Sequence, residues 1–122
     1  MYNKRIMQYY HKKDQYCQTI ENPDFCVSGK NSVCGDELAI CGEIKNNKIA
    51  RMSVTGTGCI ISQAAAVMLT ERIIGMTFEQ VKNFSANDMK QLFDMPVGPN
   101  RMACALLALE VLHKAVRDTK HD

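Results

Sequence analysis

The chain has 122 residues, 46% hydrophobic and 23% charged. That composition is globular, long enough to bury a core without staples and too short for a second ordinary domain, so residues 1–122 read as one domain. A net charge of +2 is too mild to mark a nucleic-acid binder, and no apolar run approaches the roughly 20 residues of a membrane span, which argues against both as partners.

The first residues, "MYNKRIMQYYHKK", are polar and basic and lack the apolar segment of a secretory signal. A cytoplasmic, reducing setting is therefore expected. There, cysteines serve more often as free thiols, metal ligands or redox groups than as structural disulfides. Residues 3–11 predict a short helix with Ile6, Met7 and Tyr10 on one side, its lysines and arginine reading as a solvated face. Pro23 pushes Asn22 out of helical geometry, and residues 24–33 read as a loop with Gly29 and Asn31 as turn formers.

Residues 37–45 alternate, with Leu38, Ile40, Gly42 and Ile44 on one side and Ala39, Cys41 and Glu43 on the other. A period of two predicts a strand. Asn46 and Asn47 tolerate the positive φ of a tight turn, and residues 48–56 supply the returning strand of a hairpin. From Cys59 the period becomes helical, with Ile60, Ala64, Val67, Met68 and Ile74 in phase and Gly75 at the C-terminal cap. Thr77 and Gln80 form a capping-box pattern, and Ser85 caps a short helix reaching about Phe93. Asn100 is expected to cap a long final helix whose apolar face forms the centre of the core. The fold class is α+β, a small antiparallel β-sheet with α-helices packed on one face.

Three of the six cysteines stand at ends of these elements. Cys34 precedes the first strand beside Gly35, Cys59 follows "GTG" at a strand-to-helix junction, and Cys104 lies in the first turns of the last helix. A helix N-terminus carries partial positive charge and favours the thiolate, the form that binds metal or attacks sulfur. Cys41 reads as a small packed residue inside a strand, while nothing in the setting of Cys17 or Cys26 assigns them a role. No C-x-x-C occurs, so no zinc-finger pattern applies, and by residue type alone separate burial is a better reading of the three dispersed cysteines than convergence on one site. His11, His113 and His121 read as surface or core residues rather than ligands.

Taken together, "CGD" before a hairpin, "GTGCIISQAAAVML" opening a helix and "PNRMACALLAL" opening the last helix resemble the iron–sulfur cluster assembly scaffold family, the NifU N-terminal/IscU/SufU group. The resemblance covers about residues 32–118. It implies a metal site of Cys34, Asp36, Cys59 and Cys104, holding a transient [2Fe–2S] cluster or a zinc ion. It also implies that Cys34, Cys59 or Cys104 accepts persulfide sulfur from a cysteine desulfurase, and that the cluster then passes to iron–sulfur acceptor proteins. Soft thiolates suit both metals, and a harder carboxylate from Asp36 makes a bond that exchanges. Such a protein is a platform and carrier, not an enzyme in the usual sense.

The departures from the family are specific. The histidine that IscU-type members carry before the last cysteine is Ala103 here. Their Leu-Pro-Pro-Val-Lys segment is replaced by "MPVGPNRM", so the resemblance does not extend to an Hsp70-type chaperone partner. Pro99, Arg101 and Cys104 match the Pro-x-Arg-x-x-Cys pattern of SufU-type members and put Arg101 beside the site or a docking surface, but the stretch between Cys59 and Cys104 is too short for the SufU insertion. A zinc-dependent sulfur acceptor and a structural zinc module are the alternatives to the scaffold.

Overall fold

A computed structural model of the chain describes residues 3–32 and 35–119. Cys34 and His121, both considered above, lie outside the described residues. The alternating segment forms the expected hairpin, β2 (Asp36–Lys45) and β3 (Lys48–Thr57). Asn46 and Asn47 take φ of 53° and 65° in the turn, where the short Asn side chain tolerates the left-handed region.

The segment read as a loop is instead a strand, β1 (Phe25–Asn31), which completes an antiparallel sheet in the order β1-β2-β3. Gly29 suggests a turn only when viewed locally. In the fold it sits in a strand, and a Cβ there would collide with Val111 on the last helix. Glycine here lets that helix approach the backbone. Asn31, the other presumed turn former, is the last residue of β1 and pairs with Asp36, the first residue of β2.

The helices follow the sequence signals closely. α1 (Lys4–His11) is capped by Asn3, whose side chain accepts from the Ile6 amide, and Ile6 is buried. α2 (Ile60–Ile73) is buried on most of its circumference, and Gly75 just beyond it has φ 95°. Ile74, expected in phase with the helix, is its C-cap and is 42% exposed. α3 (Phe78–Lys82) and α4 (Ala86–Phe93) both carry complete capping boxes, Thr77 with Gln80 and Ser85 with Asp88. The amide and hydroxyl of Ser85 at Asp88 hold that exposed carboxyl below its usual range, the backbone bond being the larger cause.

α5 (Pro99–Asp118) starts two residues earlier than expected, with Gly98 rather than Asn100 as its N-cap. Proline at the first helical position has its φ preset and needs no amide partner, so the helix begins there.

α2 and α5 pack on each other, and α5 crosses β1 and β2. Between these layers sit Leu38, Ile40, Phe25, Leu69, Leu107 and Leu112, all buried. α1 lies on α2. Its basic residues are not simply solvated. Arg5 donates to the carbonyls of Phe93 and Leu92, each at 2.7 Å, and so satisfies the open end of α4. Lys12 reaches Glu71 on α2 at 3.5 Å.

Candidate metal centre

β2, the β3–α2 junction and α5 meet at one end of the sheet, and their chemistry-bearing side chains converge there. Asp36 is the first residue of β2 and points to the helix-facing side, in phase with Leu38 and Ile40. Cys59 is the N-cap of α2 in extended geometry. Cys104 lies on the second turn of α5 and faces the core. One ligand atom from each of Asp36, Cys59 and Cys104 lies within 4.8 Å of the other two. Asp36 and Cys104 are buried, and Cys59 is half-buried, so Cys59 is the side of the group open to solvent.

The contacts within this group are direct. Asp36 Oδ1 accepts from the Cys59 amide at 3.1 Å, and Oδ2 accepts from the Cys59 thiol at 3.6 Å. The carboxylate thus supplies the cap that a cysteine side chain cannot give α2, and it places negative charge at the positive end of the helix. Two further residues were not anticipated from sequence. Asn31 donates from Nδ2 to Cys104 Sγ at 3.8 Å. Ser62, fully buried one turn into α2, lies 3.9 Å from Cys59 Sγ and donates to the Cys59 carbonyl at 3.1 Å. Ser62 was legible as the i+3 neighbour of Cys59 on a helix. Asn31 was hidden by the reading of its strand as a loop.

Two glycines shape the approach. Gly35, with φ 74°, donates its amide to the Asn31 carbonyl at 2.8 Å and turns the chain into β2 directly before Asp36. At Gly58, a Cβ would run into Ser62 Oγ and crowd the Asp36 carboxylate. Only glycine lets the backbone between β3 and α2 pass this close to the acid.

The donor set fits a tetrahedral soft-to-borderline metal. Bonds of about 2.0–2.3 Å put neighbouring ligand atoms about 3.3–3.8 Å apart, and the Cys59–Asp36 pair already stands at 3.6 Å. Two sulfurs with one carboxylate also match the preferences of zinc and iron–sulfur centres. Of the four sequence-predicted ligands, Asp36, Cys59 and Cys104 come together, and Cys34 lies outside the described residues. Arg101 is exposed on α5, three residues before Cys104 and therefore on the same side of the helix. No described helix is long and apolar enough to cross a membrane.

Comparison with known proteins gives a consistent set of relatives. The model of the NifU-like N terminal domain family matches residues 1–121. The chain is 28% identical to the iron–sulfur cluster assembly scaffold protein IscU of Thermotoga maritima, covering 96% of this chain and 93% of that one. It is 26% identical to the zinc-dependent sulfurtransferase SufU of Bacillus subtilis, covering 95% and 89%. Among solved structures, a protein of Fervidobacterium islandicum described as an iron–sulfur cluster assembly scaffold for the SUF system superposes with a TM-score of 0.78 at 30% identity, over 94% of this chain and 96% of that one. The N-terminal NifU-like protein of Brucella abortus shares the fold, with a TM-score of 0.77 at 17% identity over 95% and 92%.

Proposed function

Because the chain belongs to the NifU-like N-terminal domain family of iron–sulfur cluster assembly scaffolds, we propose that it builds a labile [2Fe–2S] cluster as cargo on Cys34, Asp36, Cys59 and Cys104. The convergence of Asp36, Cys59 and Cys104 within 4.8 Å carries this reading. Cys34 enters it by sequence alone, two residues before Asp36 across Gly35.

Sulfur arrives from a cysteine desulfurase. A thiolate of the site attacks the outer sulfur of the donor's persulfide, and the donor cysteine leaves as its own thiolate, so the sulfur moves without net oxidation. Half-buried Cys59 is the most accessible described acceptor. Its neighbours Asp36 and Ser62 hold its sulfur at the mouth of the site. Asp36 supplies the weakest bond to the metal, which suits a cluster that must leave for an acceptor protein. The cytoplasm is the setting in which such thiols stay reduced.

A second reading has its own support. Pro99 and Arg101 stand before Cys104 in the SufU pattern, and one relative is a zinc-dependent sulfurtransferase. In that case zinc is the resident ion, and a cysteine released from it takes the persulfide.

Anaerobic reconstitution with iron, cysteine and a desulfurase separates the two. The scaffold predicts a visible chromophore that chelators bleach and that transfers to an apo-acceptor. The sulfur acceptor predicts tightly retained zinc and faster desulfurase turnover with no chromophore. Zinc that protects all three site thiols from alkylation and leaves desulfurase turnover unchanged overturns both and leaves a structural module.

A further inference from the structure

We propose that Cys26 and Cys41 form a second thiol site, a redox-active cysteine pair that exchanges electron pairs with small-molecule thiols and disulfides independently of the metal centre. The two cysteines are direct partners in the β1–β2 ladder and are joined by a disulfide. Cys41 has the opposite parity to Asp36 along β2, so its side chain lies on the other face of the sheet. Five residues of strand, about 17 Å, separate them. Neither Cys26 nor Cys41 can join the Asp36, Cys59 and Cys104 group without breaking the ladder.

The core, not the disulfide, pins the register at this pair. It is flanked by the pairs Phe25↔Gly42 and Val27↔Ile40, in which Phe25 and Ile40 are buried in the core and Val27 packs against it. Phe25 lies over Gly42, where a Cβ would collide with its ring, and the same ring meets Phe78 edge to face at 5.9 Å. These contacts survive reduction. An antiparallel ladder keeps opposed Cβ atoms about 4.5–5.5 Å apart, close to the roughly 3.5–4.5 Å that a disulfide needs, so a small approach of the two strands closes the pair again.

Exposure separates their roles. Cys26 is exposed and Cys41 is half-buried. On oxidation, the Cys26 thiolate attacks a small disulfide such as oxidised glutathione and releases one glutathione thiolate. The Cys41 thiolate then attacks the Cys26 sulfur and releases the second. Two electrons leave the protein pair, the small disulfide takes both, and two thiols are produced. Reduction runs the same steps backward, starting from an accessible sulfur, the situation in which disulfides are labile rather than structural.

The test is a titration of the intact wild-type chain in buffers of graded reduced and oxidised glutathione, quenched with acid. Sequential alkylation and fragment mass spectrometry then assign each cysteine. Cys26 and Cys41 are expected to change state together, in one step that follows the square of reduced over oxidised glutathione, while Cys17 and Cys59 do not follow it. In Cys41→Ser, Cys26 is expected to accumulate as the mixed disulfide with glutathione. Independent labelling of Cys26 and Cys41 at every ratio would overturn the proposal. So would a bond that opens only in denaturant, which is a purely structural bridge. The wild-type titration decides the matter even if Cys41→Ser fails to fold.

Discussion

Asp36 has a structural task as well as the proposed metal-binding one, and the two can be separated. Its Oδ1 accepts the Cys59 amide whatever the metal does. Asp36→Ala removes both this acceptor and the proposed ligand, whereas Asp36→Asn keeps a carbonyl oxygen for the amide and loses the anion. If the carboxylate is the exchangeable ligand, both variants should lengthen the cluster's lifetime roughly tenfold, the effect of about 1.4 kcal/mol on the exchange barrier, measured by decay of the chromophore in the presence of an acceptor. Asp36→Asn behaving as wild type would leave Asp36 only its capping role. Tyr16 offers a residue-scale check of the fold itself. Its hydroxyl donates to Glu71 Oε2 at 2.6 Å, and that bond, followed by desolvation and the charge of Glu71, raises the phenol to about 12. Because the folded value lies above the free one, the contribution to stability is complete below about pH 10 and is lost as pH rises toward 12. Ultraviolet titration should show Tyr16 ionising late, and Glu71→Gln should lower its midpoint.

At the scale of elements, β1 tests why a strand can look like a loop. Gly29 is there to admit Val111, so Gly29→Ala should cost about 1–3 kcal/mol by overpacking. Adding Val111→Ala should recover part of that loss, which a double-mutant cycle in urea would show as coupling between two residues far apart in sequence. Independent costs would mean that the glycine serves the strand backbone alone. The other elements were legible because their signals are local. The Asn46–Asn47 turn, the Thr77–Gln80 and Ser85–Asp88 boxes and the helical phase after Cys59 each involve residues no more than a few positions apart. The final helix was read correctly except for its cap, where Asn100 looked like the better capping side chain. Pro99, preset for the first helical position, moved the start to Gly98.

Across the whole molecule, the buried seam between α5, α2 and the sheet holds the centre in place. Leu112 is fully buried in it, and Leu112→Ala should cost about 2–5 kcal/mol, seen as a lower urea midpoint with an unchanged slope if the chain unfolds as one unit. Sequence by itself determined the α+β class, the hairpin, most of the helix boundaries and the element ends where Cys59 and Cys104 stand, because period, caps and turn chemistry act over a few residues. Tertiary structure decided the rest. It made β1 a strand, used Arg5 to close α4 and set Asn31 against Cys104. It also joined Cys26 to Cys41, one residue the sequence left without a role and another it read as packing. Each of these depends on groups brought together from distant parts of the chain or across a sheet, where packing and register, not local propensity, choose the neighbour.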